Sequence, residues 1–118
     1  MPDHIISIED FLYRRIPKYI PSYWKEIKGK KVPSSFAFKT KPNEDGLSVN
    51  IVALSSFQHT VIDPEAFGVA KFSAEVPLNL GYKCVHDSKP DNEAHALIVG
   101  DTKPIAKELA KASVEIFE

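Results

Sequence analysis

The sequence lacks the features that mark secreted and membrane-spanning proteins. It contains one cysteine, Cys84, so no disulfide can form within the chain. No run approaches the ~18 apolar residues that a membrane-spanning helix needs, and the first residues do not combine a basic start with the apolar segment of a secretion signal. These absences predict a reducing, cytoplasmic location and no association with membranes. We expect Cys84 to be structural, because no residues that would lower a thiol pKa surround it.

Repeats, low-complexity segments and a strong net charge are also missing. The 118 residues are 43% hydrophobic and 26% charged, with a formal net charge of −1, which are ordinary values for a globular protein. A chain of this length can bury a core without disulfides or metal. We therefore expect a single α+β domain over residues 1–118, with an N-terminal helix and a basic aromatic arm in 1–31 and a sheet with a C-terminal helix in 32–118.

The last quarter of the chain carries the clearest pattern. Residues 94–99 form a run whose two faces are both apolar, which predicts a strand inside a covered sheet. After a turn at 100–104, Thr102 is the predicted N-cap of a helix. Its apolar and small side chains recur at three- and four-residue spacing, as in a helix lying on the sheet: Ile105, Ala106, Leu109, Ala110, Ala112, Ser113, Ile116 and Phe117.

Four further strands complete the predicted sheet, at about 35–40, 47–54, 68–72 and 82–86. Turn-forming residues at 42–46 predict that the first two form a hairpin, and a short helix is predicted within 73–81. We expect an antiparallel, or mixed, sheet of about five strands with the C-terminal helix packed over it. The predicted core residues are Phe36, Phe38, Val49, Ile51, Phe72, Leu97, Val99, Ile105, Leu109 and Ile116.

The N-terminal part combines a helix signal with a proline-rich segment. Ser7 followed by Asp10 matches a capping box, which predicts a short helix through about Arg15 that ends before Pro17. Prolines and aromatic residues then mix over 16–24, which predicts an extended arm lying on the domain rather than at its centre.

Positive charge is concentrated in residues 14–31, where seven basic residues stand against Glu26 alone. Such asymmetry predicts a contact surface. Arg14 and Arg15 are suited to pairing with phosphates, and rings such as Tyr19 and Trp24 are suited to stacking on unpaired bases. The competing interpretation is that this segment packs on its own domain, with lysine stems lying over apolar rings.

The start of the C-terminal helix is a second candidate binding site. Backbone N–H groups at a helix N-terminus suit a phosphate or a carboxylate, and Thr102 and Lys103 lie at this position. Residues 100–103 lack the longer glycine pattern of a phosphate-binding loop, so a solvated helix face explains the same residues.

His95 is the candidate catalytic residue, as a general acid or base. A hydrogen-bonded core histidine is the competing interpretation. Histidines and carboxylates also gather around the 87–92 loop, namely His86, Asp87, Asp91, Glu93 and His95, but their spacing matches no metal signature. We therefore expect no metal and no cofactor.

Two functions follow from these candidates. The first is a small binding or accessory protein that uses its basic aromatic N-terminal surface to bind nucleic acid or an acidic partner, with self-association as another mode. The second is an enzyme for a phosphorylated or nucleotide substrate, in which His95 moves a proton while Arg14 and Lys103 hold the anion. The second function requires that His95 open into a cleft shared with Arg14 or Lys103.

Overall fold

A computed structural model of the protein describes residues 4–56, 60 and 62–113, together with the backbone of 115–117. Its strands are Phe11–Pro17 (β1), Trp24–Ile27 (β2), Lys30–Pro33 (β3), Gly46–Ile51 (β4), Phe67–Ser73 (β5), Lys83–His86 (β6), His95–Val99 (β7) and Glu115–Phe117 (β8). Its α-helices within the described residues are Glu75–Asn79 (α1) and Ala106–Lys111 (α2).

One antiparallel sheet organises the fold. Its strand order is β6-β7-β4-β1-β5, and the short β8 extends the β5 edge. β2 and β3 form a separate two-stranded hairpin. The antiparallel pairing and the C-terminal helix confirm the predicted α+β class.

The core lies on one face of this sheet, because alternate residues of each strand point to the same face. β4 contributes Leu47 and Ile51, which are 1% and 0% exposed. Phe38 and Leu109, both fully buried, belong to the same core. The ring of Phe38 meets that of Phe72 edge-on, with centroids 5.8 Å apart. Burying a side chain of this size contributes about 1.5–3 kcal/mol.

Most of the predicted core residues are buried: Phe38, Val49, Ile51, Phe72, Ile105 and Leu109. Placing Phe36 and Val99 in the core was wrong, because their side chains are 53% and 39% exposed. Val99 and the partly buried Leu97 lie on the second face of β7. This face is not fully covered. The side chain of Ile116 lies outside the described residues.

The predicted hairpin between 35–40 and 47–54 is wrong. Ser35–Phe38 is a 3₁₀ turn, and β4 pairs with β1 and β7 instead. The turn sends Phe38 into the core and leaves Phe36 at the surface, where the Lys39 ammonium lies 4.0 Å from its ring centroid. Two phenylalanines at alternate positions thus belong to a turn here, although the same spacing is typical of a strand.

The predicted N-terminal helix is also wrong, because Phe11–Pro17 is a central strand of the sheet. The capping signal does form a turn, in which the Ser7 N–H donates to Asp10 Oδ2 at 2.9 Å and the Asp10 N–H donates to the Ser7 carbonyl at 3.1 Å. The chain then extends, since β1 gains backbone hydrogen bonds from β4 on one side and from β5 on the other. Tertiary pairing overrides the local signal, as it does for weak helix propensities. The arm predicted to lie at the periphery therefore begins at the centre of the molecule.

The C-terminal helix is shorter than the periodic pattern predicts. It ends at Lys111, and β8 pairs with the edge of β5, with Val69 opposite Phe117. An open strand edge offers unpaired N–H and C=O groups, which gives the last residues an alternative to continuing the helix. The structure contains several elements nearly as predicted. They are the strands at 68–72, 82–86 and 94–99 and the short helix within 73–81.

Candidate functional site

β2 and β3 form a hairpin, residues 24–33, that we call the basic hairpin. Its turn is made by Lys28 and Gly29, whose φ angles of 52° and 81° both lie in the left-handed region. Two successive residues of this kind give the tight turn whose twist matches that of paired strands. Every residue from 25 to 31 is exposed, so the hairpin stands away from the main sheet.

Lysine is the main charged residue of the basic hairpin, which contains Lys25, Lys28, Lys30 and Lys31 against Glu26. Cross-strand pairing puts Lys25 and Lys30 on one face, and it puts Lys31 opposite Glu26 on the other. The ion pairs found in the described part of the chain include none of these lysines. With four lysines against one glutamate, the basic hairpin keeps a net positive charge.

Trp24 anchors the basic hairpin to the domain. Its Nε1–H donates to the carbonyl oxygen of Pro17 at 2.9 Å, and its ring packs against the core. Trp24 also lines a groove of about 510 Å³ together with Lys18 and Lys31. Tyr19, the next residue after Lys18, is 70% exposed. Of the predicted binding residues, Trp24 therefore lines the groove, and Tyr19 is exposed next to Lys18 in the chain.

Arg14 and Arg15 are consecutive in β1 and therefore point to opposite faces of the sheet. Arg14 lies towards the core side, where its Nε–H and Nη1–H donate to the carbonyl oxygens of Ala37 at 3.0 Å and Ser48 at 2.9 Å. Burial lowers the pKa of Arg14, although a guanidinium keeps its charge at neutral pH. Arg15 is exposed on the other face, with its guanidinium carbon 5.0 Å from the ring centroid of Phe67.

The face that carries Arg15 contains a cleft of about 520 Å³, which we call the open-face cleft. It is lined by Arg15, Asn50, Lys89, Asn92 and His95, among others. A smaller pocket of about 90 Å³ shares four of these residues and adds Tyr13, Arg14 and Ser48. His95 therefore opens into a space that it shares with both arginines.

Hydrogen bonds fix the walls of the open-face cleft. Asn92 Nδ2 donates to Asn50 Oδ1 at 2.8 Å, and Asn50 Nδ2 donates to Thr60 Oγ1 at 3.1 Å. The His95 Nδ1–H donates to the carbonyl oxygen of Asp87 at 3.0 Å, because a carbonyl can only accept. The predicted core histidine is thus a hydrogen-bonded side chain at the wall of a cleft.

Asp87 links His95 to a lysine at the rim. Its Oδ2 lies 3.1 Å from Lys89 Nζ and 3.3 Å from His95 Nδ1. The hydrogen bond from Lys89 is the main cause that lowers the pKa of the Asp87 carboxyl, and the hydrogen bond with His95 acts in the same direction. Asp87 therefore stays ionised and holds both neighbours in place.

Thr102 and Lys103 lie away from the open-face cleft. The fully buried Thr102 hydroxyl donates to the Phe38 carbonyl at 2.5 Å and accepts from the Thr40 N–H at 3.1 Å, and it makes no capping bond to the helix. The backbone N–H of Lys103 donates to Asp101 Oδ1 at 3.0 Å, and this bond is the main cause that lowers the pKa of Asp101. A carboxylate of the chain itself therefore occupies the predicted anion-binding turn.

Among the histidines and carboxylates near the 87–92 loop, Asp87 and His95 are in contact, whereas His86 is bonded to other groups. His86 Nε2–H donates to the carbonyl oxygen of Glu93 at 2.6 Å, and His86 Nδ1 accepts from the backbone N–H of His4 at 2.8 Å. Over the described residues, no three His, Cys, Asp or Glu side chains are grouped closely enough to hold a metal ion. Burial raises the pKa of Cys84 to about 11, which is the opposite of what a nucleophilic thiol needs.

Comparison with known proteins leaves function to be inferred from this geometry. No protein-family model matches the chain, and no curated protein and no solved structure matches it either. No helix within the described ranges is long and apolar enough to cross a membrane.

Sequence reasoning missed Asn50, Lys89 and Asn92 as residues of the cleft. Two asparagines 42 positions apart carry no motif, and a lysine in a polar loop looks like any solvated residue. Only the pairing of β4 with β7 brings them beside His95.

Proposed function

We propose that the protein binds single-stranded nucleic acid through the basic hairpin. The observation that carries this proposal is an exposed two-stranded ribbon with four lysines and one glutamate. Had the segment only packed on its own domain, the lysine stems would lie over apolar rings, whereas residues 25–31 all face solvent. Contacts with phosphates supply most of the affinity in binding that does not depend on base sequence.

Aromatic side chains favour a single strand over an acidic protein as the partner. Proteins that bind single strands combine a basic groove with rings on which bases stack. Trp24 lies in a groove with Lys18 and Lys31. Tyr19 follows Lys18 in the chain and presents an exposed ring. An acidic protein would engage the lysines but would not need the exposed ring of Tyr19.

The alternative function, an enzyme for a phosphorylated substrate, was predicted to use His95, Arg14 and Lys103 in one site. His95 and Arg14 line the same small pocket. Lys103 lies beyond Val99, at the opposite end of β7 from His95, and is not among the described residues of that pocket. This arrangement supports the binding of an anion near His95 rather than the three-residue site.

The test compares two variants that lose the same charge. K28Q/K30Q/K31Q removes three lysines of the basic hairpin, and K103Q/K107Q/K111Q removes three exposed lysines of the C-terminal helix region. With fluorescent oligo-dT and oligo-U as probes, we expect the hairpin variant to lose at least ~10-fold in affinity and the helix variant to stay within about 2-fold of wild type.

Three results would count against the proposal. Equal losses in both variants would reduce the effect to net charge. Unchanged binding by the hairpin variant would remove the hairpin from the site. Competition by polyglutamate as strong as that by oligo-U would favour an acidic protein as the partner.

A further inference from the structure

Arg14 and Arg15 place two positive charges side by side in β1, and the charge of the Glu44 carboxylate acts on Arg14. None of the ion pairs within the described residues includes either arginine. The hydrogen bonds of Arg14 go to carbonyl oxygens, those of Ala37 and Ser48, and Arg15 lies over the ring of Phe67. Buried or partly buried charges are normally paired. Arg14 is partly buried without an ion pair among the described residues, and the neighbouring Arg15 is exposed, so its charge is available to an anion.

The sheet opens where these two residues lie. β1 and β4 pair only through Leu12 with Ile51 and Tyr13 with Asn50. From Arg14 onward β1 continues along β5 but no longer pairs with β4. The resulting gap is the small pocket of about 90 Å³, which contains both arginines. A ligand group on the open face can therefore approach Arg15 directly and the charge of Arg14 through the gap.

Polar side chains line most of the open-face cleft. Asn50 and Asn92 are fixed by their mutual hydrogen bond, and His95 is fixed by its bond to the carbonyl oxygen of Asp87. Lys89 adds a cation at the rim, and Asp91 is an acidic residue of the same rim. Since Lys89 also pairs with Asp87, Arg15 is the cation of the cleft that has no ion pair within the described residues.

We infer that the open-face cleft binds a phosphate monoester, with Arg15 as the main contact and with His95 and Lys89 beside it. A phosphate oxyanion matches the forked donors of a guanidinium, and Arg15 presents such a fork to the cleft. The cleft volume of about 520 Å³ is within the range of small-molecule sites and accommodates more than the phosphate alone. This site lies on the main sheet and does not depend on nucleic-acid binding by the basic hairpin.

The test uses inorganic phosphate, AMP and adenosine as probes of ¹⁵N-labelled full-length protein by NMR titration. We expect AMP and phosphate to shift amide signals of β1, β4 and β7, and adenosine to shift none of them. R15Q should weaken AMP binding by about 10- to 100-fold, as expected for the loss of a charge-assisted hydrogen-bonding pair. Because Arg15 is exposed, R15Q should keep the wild-type melting temperature.

Two control variants keep the inference falsifiable. K103Q removes a cation of the other predicted anion site, and K28Q/K30Q/K31Q removes the hairpin charge, so both should bind AMP as wild type does. AMP binding by R15Q equal to that of wild type would overturn the inference, and so would equal losses in R15Q and K103Q. Acetate binding as tight as phosphate binding would overturn the assignment to phosphate.

The source of the phosphate is distinguished by two further probes. An oligonucleotide with a 5′-phosphate and the same oligonucleotide with a 5′-hydroxyl are titrated into the hairpin variant. Tighter binding of the phosphorylated form, lost in R15Q, would identify the end of a strand as the ligand. Binding of AMP alone would identify a free nucleotide, and binding of none of the phosphates would overturn the site altogether.

Discussion

Single residues join distant parts of this chain, and Thr102 is the clearest case. Its fully buried hydroxyl donates to the Phe38 carbonyl and accepts from the Thr40 N–H. Thr102→Val keeps the shape but leaves both backbone groups without that partner, at about 1–3 kcal/mol each. We expect urea unfolding to show a loss of about 2–6 kcal/mol for Thr102→Val and only about 1 kcal/mol for Thr102→Ser. Equal losses would mean that the hydrogen bonds do not matter.

Cys84 gives a second prediction at the residue scale, through its reactivity. Burial raises its thiol pKa from 9.0 to about 11. Only a thiolate reacts with iodoacetamide, so at pH 8 the folded protein should react about 100-fold more slowly than the urea-unfolded chain. The folded rate should then rise tenfold for each pH unit up to about pH 10. A folded rate at pH 8 as fast as the unfolded rate would contradict the burial of this thiol.

The elements show where tertiary contacts decide between local alternatives. A strand and a 3₁₀ turn over residues 35–38 predict different burial for Phe36 and Phe38. A strand would place both side chains on one buried face. In the structure Phe38 is fully buried and Phe36 is 53% exposed. Phe38→Ala should therefore cost about 3–5 kcal/mol and Phe36→Ala less than about 1 kcal/mol, as measured by urea unfolding. Similar costs at the two positions would support the hairpin instead.

The elements that sequence reasoning found are those with strong local patterns. β7 has a continuous apolar run, and α1 follows a serine and ends before a glycine. β1 was missed because its partners are β4 and β5, some 35 and 55 residues further along the chain. The Ser7–Asp10 signal does form a turn. Residues 7–17 alone do not show that β1 has one partner strand on each side.

At the scale of the whole molecule, function depends on where charge lies rather than on its total. The formal net charge is −1, yet the basic hairpin alone carries four lysines and one glutamate. The sequence predicted Arg14, Arg15, Tyr19 and Trp24 as one surface. The structure separates them, because β1 carries the two arginines into the sheet while Trp24 lines the groove of the hairpin. Sequence alone shows that charge is clustered but not which face receives it.

The most direct test of the account is the salt dependence of oligo-U binding by wild type and by K28Q/K30Q/K31Q. For single strands, the slope of log K against log salt is about −0.7 for each phosphate contacted. With Lys18 and the four hairpin lysines engaged, we predict a slope of about −3.5 for wild type and a slope shallower by about 2 for the variant. A wild-type slope near zero, or the same slope in both proteins, would contradict binding through the basic hairpin.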